Sequence, residues 1–331
     1  METAILSAEN DLLFAAERAA ELLARGEAVA LPTETVYGLA ADALRAEAVL
    51  KIFEAKERPF FDPLIVHLPD IDWLERIANA QRPLVKQLVE TFWPGPLTLV
   101  LPRREKIVPD LATAGLQTVA VRMSAHPVFR EVITRFGKPL AAPSANRFGR
   151  ISPTNAQHVF SELGGRIPLI IDGGVTSHGV ESTIVSFDES DENAITILRS
   201  GPVTAEQLAQ FGAVHFSKPD DEKNPLAPGQ LKSHYAPRTP MKFLSEISDL
   251  KTELASRRCG LLAWRKPSNE AGFAAIELLS ENENLRESAA NLFAAMRRLD
   301  EANLDLILAE PVPEIGLGVA IMDRLRKAAA R

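Results

Sequence analysis

Along the chain, apolar positions alternate between a helical period near 3.6 and short solid runs, the pattern of an α/β protein. Leu12, Ala16, Ala19 and Leu23 fall on one face of residues 11–24, and Gly26 just beyond them is a stop signal, so this segment predicts the first helix. Residues 28–31 are an unbroken apolar run and predict a short buried strand. The same reading predicts helices at 46–57, 82–91, 127–136, 154–163 and 204–211. It predicts strands at 64–67, 97–101, 119–122, 140–142, 169–172, 182–187 and 194–199.

Past Phe216 the pattern breaks. Pro219, Pro225, Pro228, Pro237 and Pro240 fall within a few turns of one another, with Gly229 among them. Such a stretch forms neither a helix interior nor a central strand. The expected organisation is therefore a first unit over 1–215, a Pro-rich linker or lid over 216–240 and a smaller α/β unit over 241–331. In that last unit strands are predicted at 242–244, 259–263, 275–278 and 305–309, with helices at 285–299 and 318–330. Gly316-Leu317-Gly318, just before the final helix, resembles an anion-friendly turn but reads better as a packing turn.

Composition adjusts this picture in two places. The 331 residues are 46% apolar with a formal charge of −7, which argues against a general polyanion binder. Residues 51–152, however, carry 15 Lys and Arg against 10 Asp and Glu, a local +5 that points to an anion site. Cys259 is the only cysteine, so an intrachain disulfide and a Cys-rich metal site are both excluded. The first eleven residues lack a basic signal region, and no long uninterrupted apolar run occurs, so the expectation is a soluble cytoplasmic protein without a membrane span.

The chemistry-bearing residues concentrate in polar turns. Residues 31–40 place Thr33, Glu34, Thr35 and Tyr37 directly after a buried strand, either as a capped turn or as hydrogen-bonding groups at a cleft. Lys56 and Arg58 precede Pro59 at a helix end, and Asp62-Pro63 leads into a strand ending in His67. Two cations and an imidazole there suit phosphate and carboxylate groups, or the cations simply complement a helix C-terminus. Thr118 opens an apolar strand that ends in Arg122, a guanidinium needing either a protein or a ligand carboxylate. Residues 141–146, Ala-Ala-Pro-Ser-Ala-Asn, offer the Ser144 hydroxyl, the Asn146 amide and open backbone at Ala142, with Ser152-Pro153 ahead of a helix. Glu181-Ser182-Thr183 and Arg199-Ser200-Gly201 complete the set. No P-loop, dinucleotide loop, metal spacing or nucleophile elbow is present. Cations, hydroxyls and backbone amides suit positioning and charge stabilisation better than covalent catalysis.

In order, Pro-Thr-Glu-Thr-Val-Tyr-Gly (32–38), Lys-x-Arg-Pro (56–59), Pro-Leu-Ile-Val-His (63–67), Trp-Pro-Gly-Pro-Leu-Thr (93–98), Val-Ala-Val-Arg (119–122), Pro-Ser-Ala-Asn (143–146), Glu-Ser-Thr (181–183) and Arg-x-Gly (199–201) resemble the threonylcarbamoyl-adenylate synthase family in its long form. The linker's Pro228-Gly229 and His234-Tyr235-Ala236-Pro237 resemble that form too. The resemblance implies a twisted mixed sheet in a YrdC-like catalytic domain, followed by a smaller Rossmann-like α/β domain. It implies formation of threonylcarbamoyl-AMP and pyrophosphate from L-threonine, bicarbonate and ATP with Mg²⁺. A downstream transferase complex would consume the product to modify adenosine beside the tRNA anticodon.

By the same resemblance, Lys56 and Arg58 are the catalytic cations and, with Arg199, hold the ATP phosphates. Asp62, Thr118, Ser144, Asn146, Ser152, Ser182 and Tyr235 complete the nucleotide site. Thr33, Thr35, Tyr37, His67, Arg122, Ala142 and Thr183 hold threonine, Arg122 taking its carboxylate, and Tyr235 belongs to a lid. Asp62 stands where the family commonly has Asn, so an arginine or Mg²⁺ is needed between it and a triphosphate. Lys232-Ser233 also departs from the family's more basic-aromatic linker. Two other classes compete: an RNA-binding module, disfavoured by the acidic whole chain, and a hydrogenase-maturation carbamoyltransferase, whose Cys-rich modules are absent.

Overall fold

The computed structural model describes residues 1–188, 191–217, 225–231, 234–267 and 270–330. Pro219 and Lys232-Ser233 lie outside the described residues. In chain order the first unit comprises β1 (Ala4–Ser7), α1 (Leu12–Ala24), β2 (Val29–Leu31), β3 (Gly38–Asp42), α2 (Ala46–Lys56), β4 (Ile65–His67), α3 (Asp72–Ile77), α4 (Pro83–Phe92), β5 (Leu97–Pro102), α5 (Asp110–Thr113), β6 (Thr118–Arg122), α6 (Pro127–Phe136), β7 (Leu140–Ala141), α7 (Ala156–Leu163), β8 (Leu169–Asp172), β9 (Thr183–Phe187), β10 (Ala194–Arg199), α8 (Ala205–Leu208) and β11 (Ala213–Phe216). After the linker come β12 (Met241–Phe243), α9 (Leu250–Ser256), β13 (Cys259–Ala263), β14 (Ala275–Leu278), α10 (Leu285–Glu301), β15 (Leu306–Ala309) and α11 (Leu317–Ala329).

The eleven strands of the first unit form one mixed sheet, ordered β1-β8-β2-β3-β7-β4-β6-β5-β9-β10-β11. Alternation along its strands decides what each face can do. Val66, Leu99, Val119, Val121 and Val185 point into the main core under α2 and α4. On the opposite face, α1 and α6 cover β2, β8 and β7 through Leu23, Phe129, Val132 and Ile133. That helical cover stops at β4. Beyond it, Ile65, Val100, Ala120 and Ile184 are capped instead by Ala227 of the linker. An opening over β4, β6, β5 and β9 is the direct consequence.

Strand β3 was not predicted. Its Gly-Leu-Ala-Ala-Asp sequence has little intrinsic strand preference, and pairing with β2 and β7 on either side imposes the conformation. Short α8 replaces the longer helix expected at 204–211, beginning with a reciprocal Thr204–Gln207 capping box. The edge strands β1 and β11 and helices α3, α5 and α9 were also unforeseen.

The second sheet, β12-β15-β13-β14, is wholly parallel, with Leu250 and Leu254 of α9 packed on one side and Leu292, Phe293, Met296, Ile321 and Leu325 of α10 and α11 on the other. That second core also takes in Val36, Ile151 and Val180 of the first unit and Tyr235 of the linker, so the two sheets share apolar interior rather than a polar seam. Among the described residues, no helix is long and apolar enough to cross a membrane.

Gly179 marks how closely the units dock: its φ is +68°, and a Cβ there would lie 2.3 Å from the Ala289 carbonyl oxygen and 2.4 Å from the Ala290 Cα of α10. Rigid helix backbone cannot yield as a side chain can. Gly179→Ala is therefore expected to destabilise the protein by about 1–3 kcal/mol and to make the linker more sensitive to protease. Differential scanning calorimetry and timed proteolysis check this; an unchanged melting curve would show the interface to be looser than described.

Candidate active site

The cavity occupies the uncovered face and, with the linker closed over it, encloses only about 40 Å³. Its amino-acid-sized end starts from the turn between β2 and β3. Thr33 Oγ1 accepts the N–H groups of Thr35 and Val36 at 3.1 and 3.2 Å and donates to the Val36 carbonyl at 2.6 Å, closing a tight hydroxyl turn. Thr35 Oγ1 sits 2.8 Å from Thr33 Oγ1 and 3.0 Å from Arg122 Nη1. Arg122 is the last residue of β6, opposite His67 of β4 and Thr98 of β5. Its Nε donates to the Gly95 carbonyl at 3.2 Å and its Nη2 to Glu34 Oε1 at 2.6 Å.

The partner of Arg122 is thus a protein carboxylate. Burial alone would raise the Glu34 pKa, but Arg122 and a hydrogen bond from Ser124 outweigh it and hold the carboxyl at about 2. His67, beside them, packs its ring against Phe129 in a tilted arrangement, centroids 4.6 Å apart. Burial, reinforced by Arg122, lowers its pKa to about 3, so the imidazole is neutral, and its Nδ1 has no partner.

At the other end, Arg58 pairs with Asp62 (Nη2 to Oδ2, 2.8 Å) and donates to the carbonyls of Asp62 and Pro63. The pair is close but poorly aligned, and neither Asp62 carboxylate oxygen accepts a hydrogen bond. Arg199 reaches the Ser182 carbonyl (3.1 Å), the Ser182 hydroxyl (3.0 Å) and the Pro228 carbonyl (3.2 Å). All three acceptors are neutral. Glu181 accepts from Ser152 Oγ and from Arg324 Nε at 3.0 Å. Burial would raise its pKa, and Arg324, Arg199 and Ser152 together hold it at about 2. Tyr235, fully buried with φ +62°, closes the cavity from the linker alongside His234, Pro228 and Gly229. Gly229 is required beneath it, because a Cβ there would come within 2.9 Å of the Tyr235 hydroxyl.

The structure brings Thr33, Thr35, Arg58, His67, Arg122, Ala142, Ser144, Ser182, Arg199 and Tyr235 to this one cavity. Other expected residues stand behind its walls. Lys56 is buried, its Nζ donating to the carbonyls of Ser144 (2.5 Å) and Asn146, so it braces the 143–146 turn. Burial drives its pKa well below the usual value, Arg58 adding to the effect. Tyr37 points away, donating 2.7 Å to the Gly174 carbonyl. Asn146 spends its amide on the carbonyls of Arg147 and Arg150, Ser152 its hydroxyl on Glu181, and Thr183 its hydroxyl on Val203. Asp62 lies behind Arg58, fully buried. Thr118 shares the alternation of Ala120 and Arg122 but opens β6, roughly 13 Å along the strand from Arg122 and outside the lining. Sequence reasoning assigned no role to Glu34, Glu181, His234 or Arg324. Glu34 and Glu181 had a signal, since each is the acid inside a hydroxyl-rich turn; Arg324 had none.

Fold and cavity together define a two-sheet α/β protein with a buried, arginine-lined pocket. Residues 21–201 match the Sua5/YciO/YrdC family model, described as "Telomere recombination", and residues 203–330 match the model "Threonylcarbamoyl-AMP synthase, C-terminal domain". The threonylcarbamoyl-AMP synthase of Bacillus subtilis (strain 168) is 43% identical, over 94% of this chain and 92% of its own length. That of Pyrococcus abyssi is 41% identical, over 94% and 92%. Among solved structures, P. abyssi Sua5 carrying H234A/Y235A aligns with a TM-score of 0.90 at 37% identity, over 99% of this chain and 96% of that one. P. abyssi Sua5 complexed with L-threonine aligns at 0.85 and 38%, over 99% and 98%. The chain belongs to the threonylcarbamoyl-AMP synthase family in its long, two-domain form, a family of nucleotidyl-transferring enzymes.

Glu34 sets a pH dependence with a definite sign. Its folded pKa of about 2 lies below the ordinary 4.5, so it stabilises the fold above pH 4.5 and loses that contribution as pH falls toward 2. The shift corresponds to about 3 kcal/mol. In urea unfolding, the stability gap between wild type and Glu34→Gln should be widest near pH 7 and narrow steadily below pH 4.5; a gap independent of pH contradicts the pairing.

Proposed function

We propose that the protein joins L-threonine, bicarbonate and ATP into L-threonylcarbamoyladenylate, releasing pyrophosphate and water. The observation that carries this reading is the convergence of Arg122, Thr35 and His67 with Arg58, Arg199, Ser144 and Ser182 on one cavity. A P. abyssi relative has been crystallised with L-threonine, which supports the amino-acid half.

In this reading, the threonine carboxylate meets Arg122 and its amine and side chain meet Thr33, Thr35, His67 and the Ala142 backbone. The amine, once unprotonated, takes up CO₂ or bicarbonate as a carbamate, and a carbamate oxygen attacks the α-phosphorus. The bond to the β,γ-pyrophosphate breaks in line, and Arg58 and Arg199 stabilise the charge that gathers on the leaving group. His67, neutral with a pKa of about 3, is a weak proton acceptor and serves as a hydrogen-bonding partner. Lys56, Asn146, Ser152 and Thr183 hold the walls in register behind these contacts.

Mg²⁺ enters as the counter-ion of ATP. Glu34, Glu181 and Asp62 are each paired with an arginine, and Asp62 lies fully buried behind Arg58, outside the lining. The ion would therefore be held mainly by the substrate phosphates and would supply charge neutralisation there, with Arg58 standing between Asp62 and the triphosphate. Tyr235 and His234 close the linker over the pocket and keep water from the adenylate. The product is a mixed anhydride suited to a downstream transferase that modifies tRNA adenosine beside the anticodon, in the cytoplasm. Direct tRNA binding is the weaker role, since the cavity's arginines are buried instead of exposed along one face.

Purified protein should release pyrophosphate only when threonine, bicarbonate, ATP and Mg²⁺ are all present. Release indifferent to threonine would rule the reading out. The two ends of the cavity also predict separable kinetics. Arg122→Lys keeps a cation beside Glu34 but loses the planar fork, and should raise the threonine KM about 10–100-fold with little change for ATP. Arg58→Lys should instead lower kcat and weaken MgATP. Steady-state kinetics with each substrate varied in turn checks this, and equal effects on both substrates would refute the division of roles.

A further inference from the structure

Helix α11 belongs to the second unit, yet one of its turns touches the wall of the first unit's cavity and the linker at two points. Arg324 is fully buried and donates 3.0 Å to Glu181, a residue of the cavity wall. Its guanidinium lies 5.2 Å from the centroid of the Tyr235 ring, within cation–π range. One turn on, Lys327 Nζ donates to the Gly229 carbonyl at 2.7 Å, and the Lys327 carbonyl accepts the His234 N–H at 3.3 Å. Asp323 balances both cations, at 2.6 Å from Arg324 and 2.8 Å from Lys327. The Tyr235 ring also stacks on Phe293 of α10 at 5.5 Å.

Arg324 Nη2 and the Tyr235 hydroxyl are both buried without a hydrogen-bond partner. Unspent donors in so tightly packed a cluster are costly unless a ligand or a closing movement uses them. Arg297 of α10 offers the contrast. It also crosses between the units, to Glu162 at 3.2 Å and to the Ile151 carbonyl, but it contacts no side chain of the cavity wall.

We propose that Arg324 is a positioning residue for the adenylate-forming site, holding Glu181 and the Tyr235 ring so that the linker seals the cavity during turnover. The inference rests on the function proposed above and deepens it, giving the C-terminal unit a part in the reaction through one side chain. Arg324 touches neither substrate in this account and acts through the carboxylate and the ring.

The test uses full-length Arg324→Gln, Arg324→Lys, Arg297→Gln and Glu181→Gln proteins. Each is assayed for melting temperature, for pyrophosphate released per threonylcarbamoyl-AMP recovered, and for kcat/KM against pH. The groups facing Glu181 are Arg324 of α11, Arg199 of β10, Ser152, and His234 and Tyr235 of the linker. Without Arg324, burial is opposed only by Arg199, Ser152 and the backbone, so the Glu181 pKa rises and the acid limb of the pH profile should move upward. Arg324→Gln should also lower kcat/KM about 10–100-fold and release severalfold more pyrophosphate than adenylate, with partial rescue in Arg324→Lys. Arg297→Gln should lose melting temperature alone. If Arg324→Gln matches Arg297→Gln in lacking any change of coupling or pH profile, the proposal is overturned. Should Arg324→Gln fail to fold, Glu181→Gln decides, and wild-type coupling in that variant overturns it equally. A wild-type protein that ignores threonine would instead sink the underlying reading, and this proposal with it.

Discussion

Burying guanidinium groups around one cavity is possible only when the protein supplies the counter-charges itself. Here the arrangement is Glu34 against Arg122, Asp62 against Arg58 and Glu181 against Arg324. Arg199 is the exception, its donors going to the Ser182 and Pro228 carbonyls and the Ser182 hydroxyl. The pocket is therefore electrostatically prepared but not saturated. Its matched pairs fix side-chain positions before any ligand arrives, and Arg199, which shares Glu181 with Arg324, leaves positive charge in excess at that end. Preorganisation of this kind is what catalysis by positioning and charge stabilisation requires.

The sheet explains why those charges can sit on one side of it. A single strand such as β6 presents Val119 and Val121 to the main core and Ala120 and Arg122 to the opposite face. The core face carries the burial that holds the unit together, while the other face is covered by the linker's Ala227 over neighbouring strands from β4 to β10. Covering that stretch with a linker, not a helix, gives the protein a roof that can be displaced without disturbing the main core. Shared packing of Val36, Val180 and Tyr235 with the second unit then ties the roof to a rigid support.

Much of this was readable from residue order. Periodicity located most strands because buried strands are short apolar runs, and it failed at β3, whose small residues are strand only through their neighbours. Residue chemistry marked the turns at 32–38, 143–146 and 181–183 as site-forming. It did not reveal which side of each turn a polar group would face, and that distinction separates Ser144 from Asn146 and Ser182 from Thr183. Sequence alone left the partner of Arg122 open between protein and ligand; Glu34, 88 positions away, answers it. Arg324 could not have been found, since it meets Glu181 across 143 positions and sits in a helix whose pattern is fully explained by packing.

The linker's geometry also constrains the order of events. Tyr235 and His234 are buried over the cavity, packed against each other with ring centroids 4.1 Å apart, so nothing as large as a nucleotide could enter without this segment lifting. What holds it down is largely local: Phe293 on one face, Arg324 near the ring, and Lys327 tied to the backbone at Gly229 and His234. Those contacts come from α10 and α11, which pack in the second core with Tyr235 itself as a member. The roof therefore closes against a support that the second unit builds. For an enzyme whose product is readily hydrolysed, that closure matters more than tight ground-state binding, and it gives a physical reason for the second unit to accompany the first.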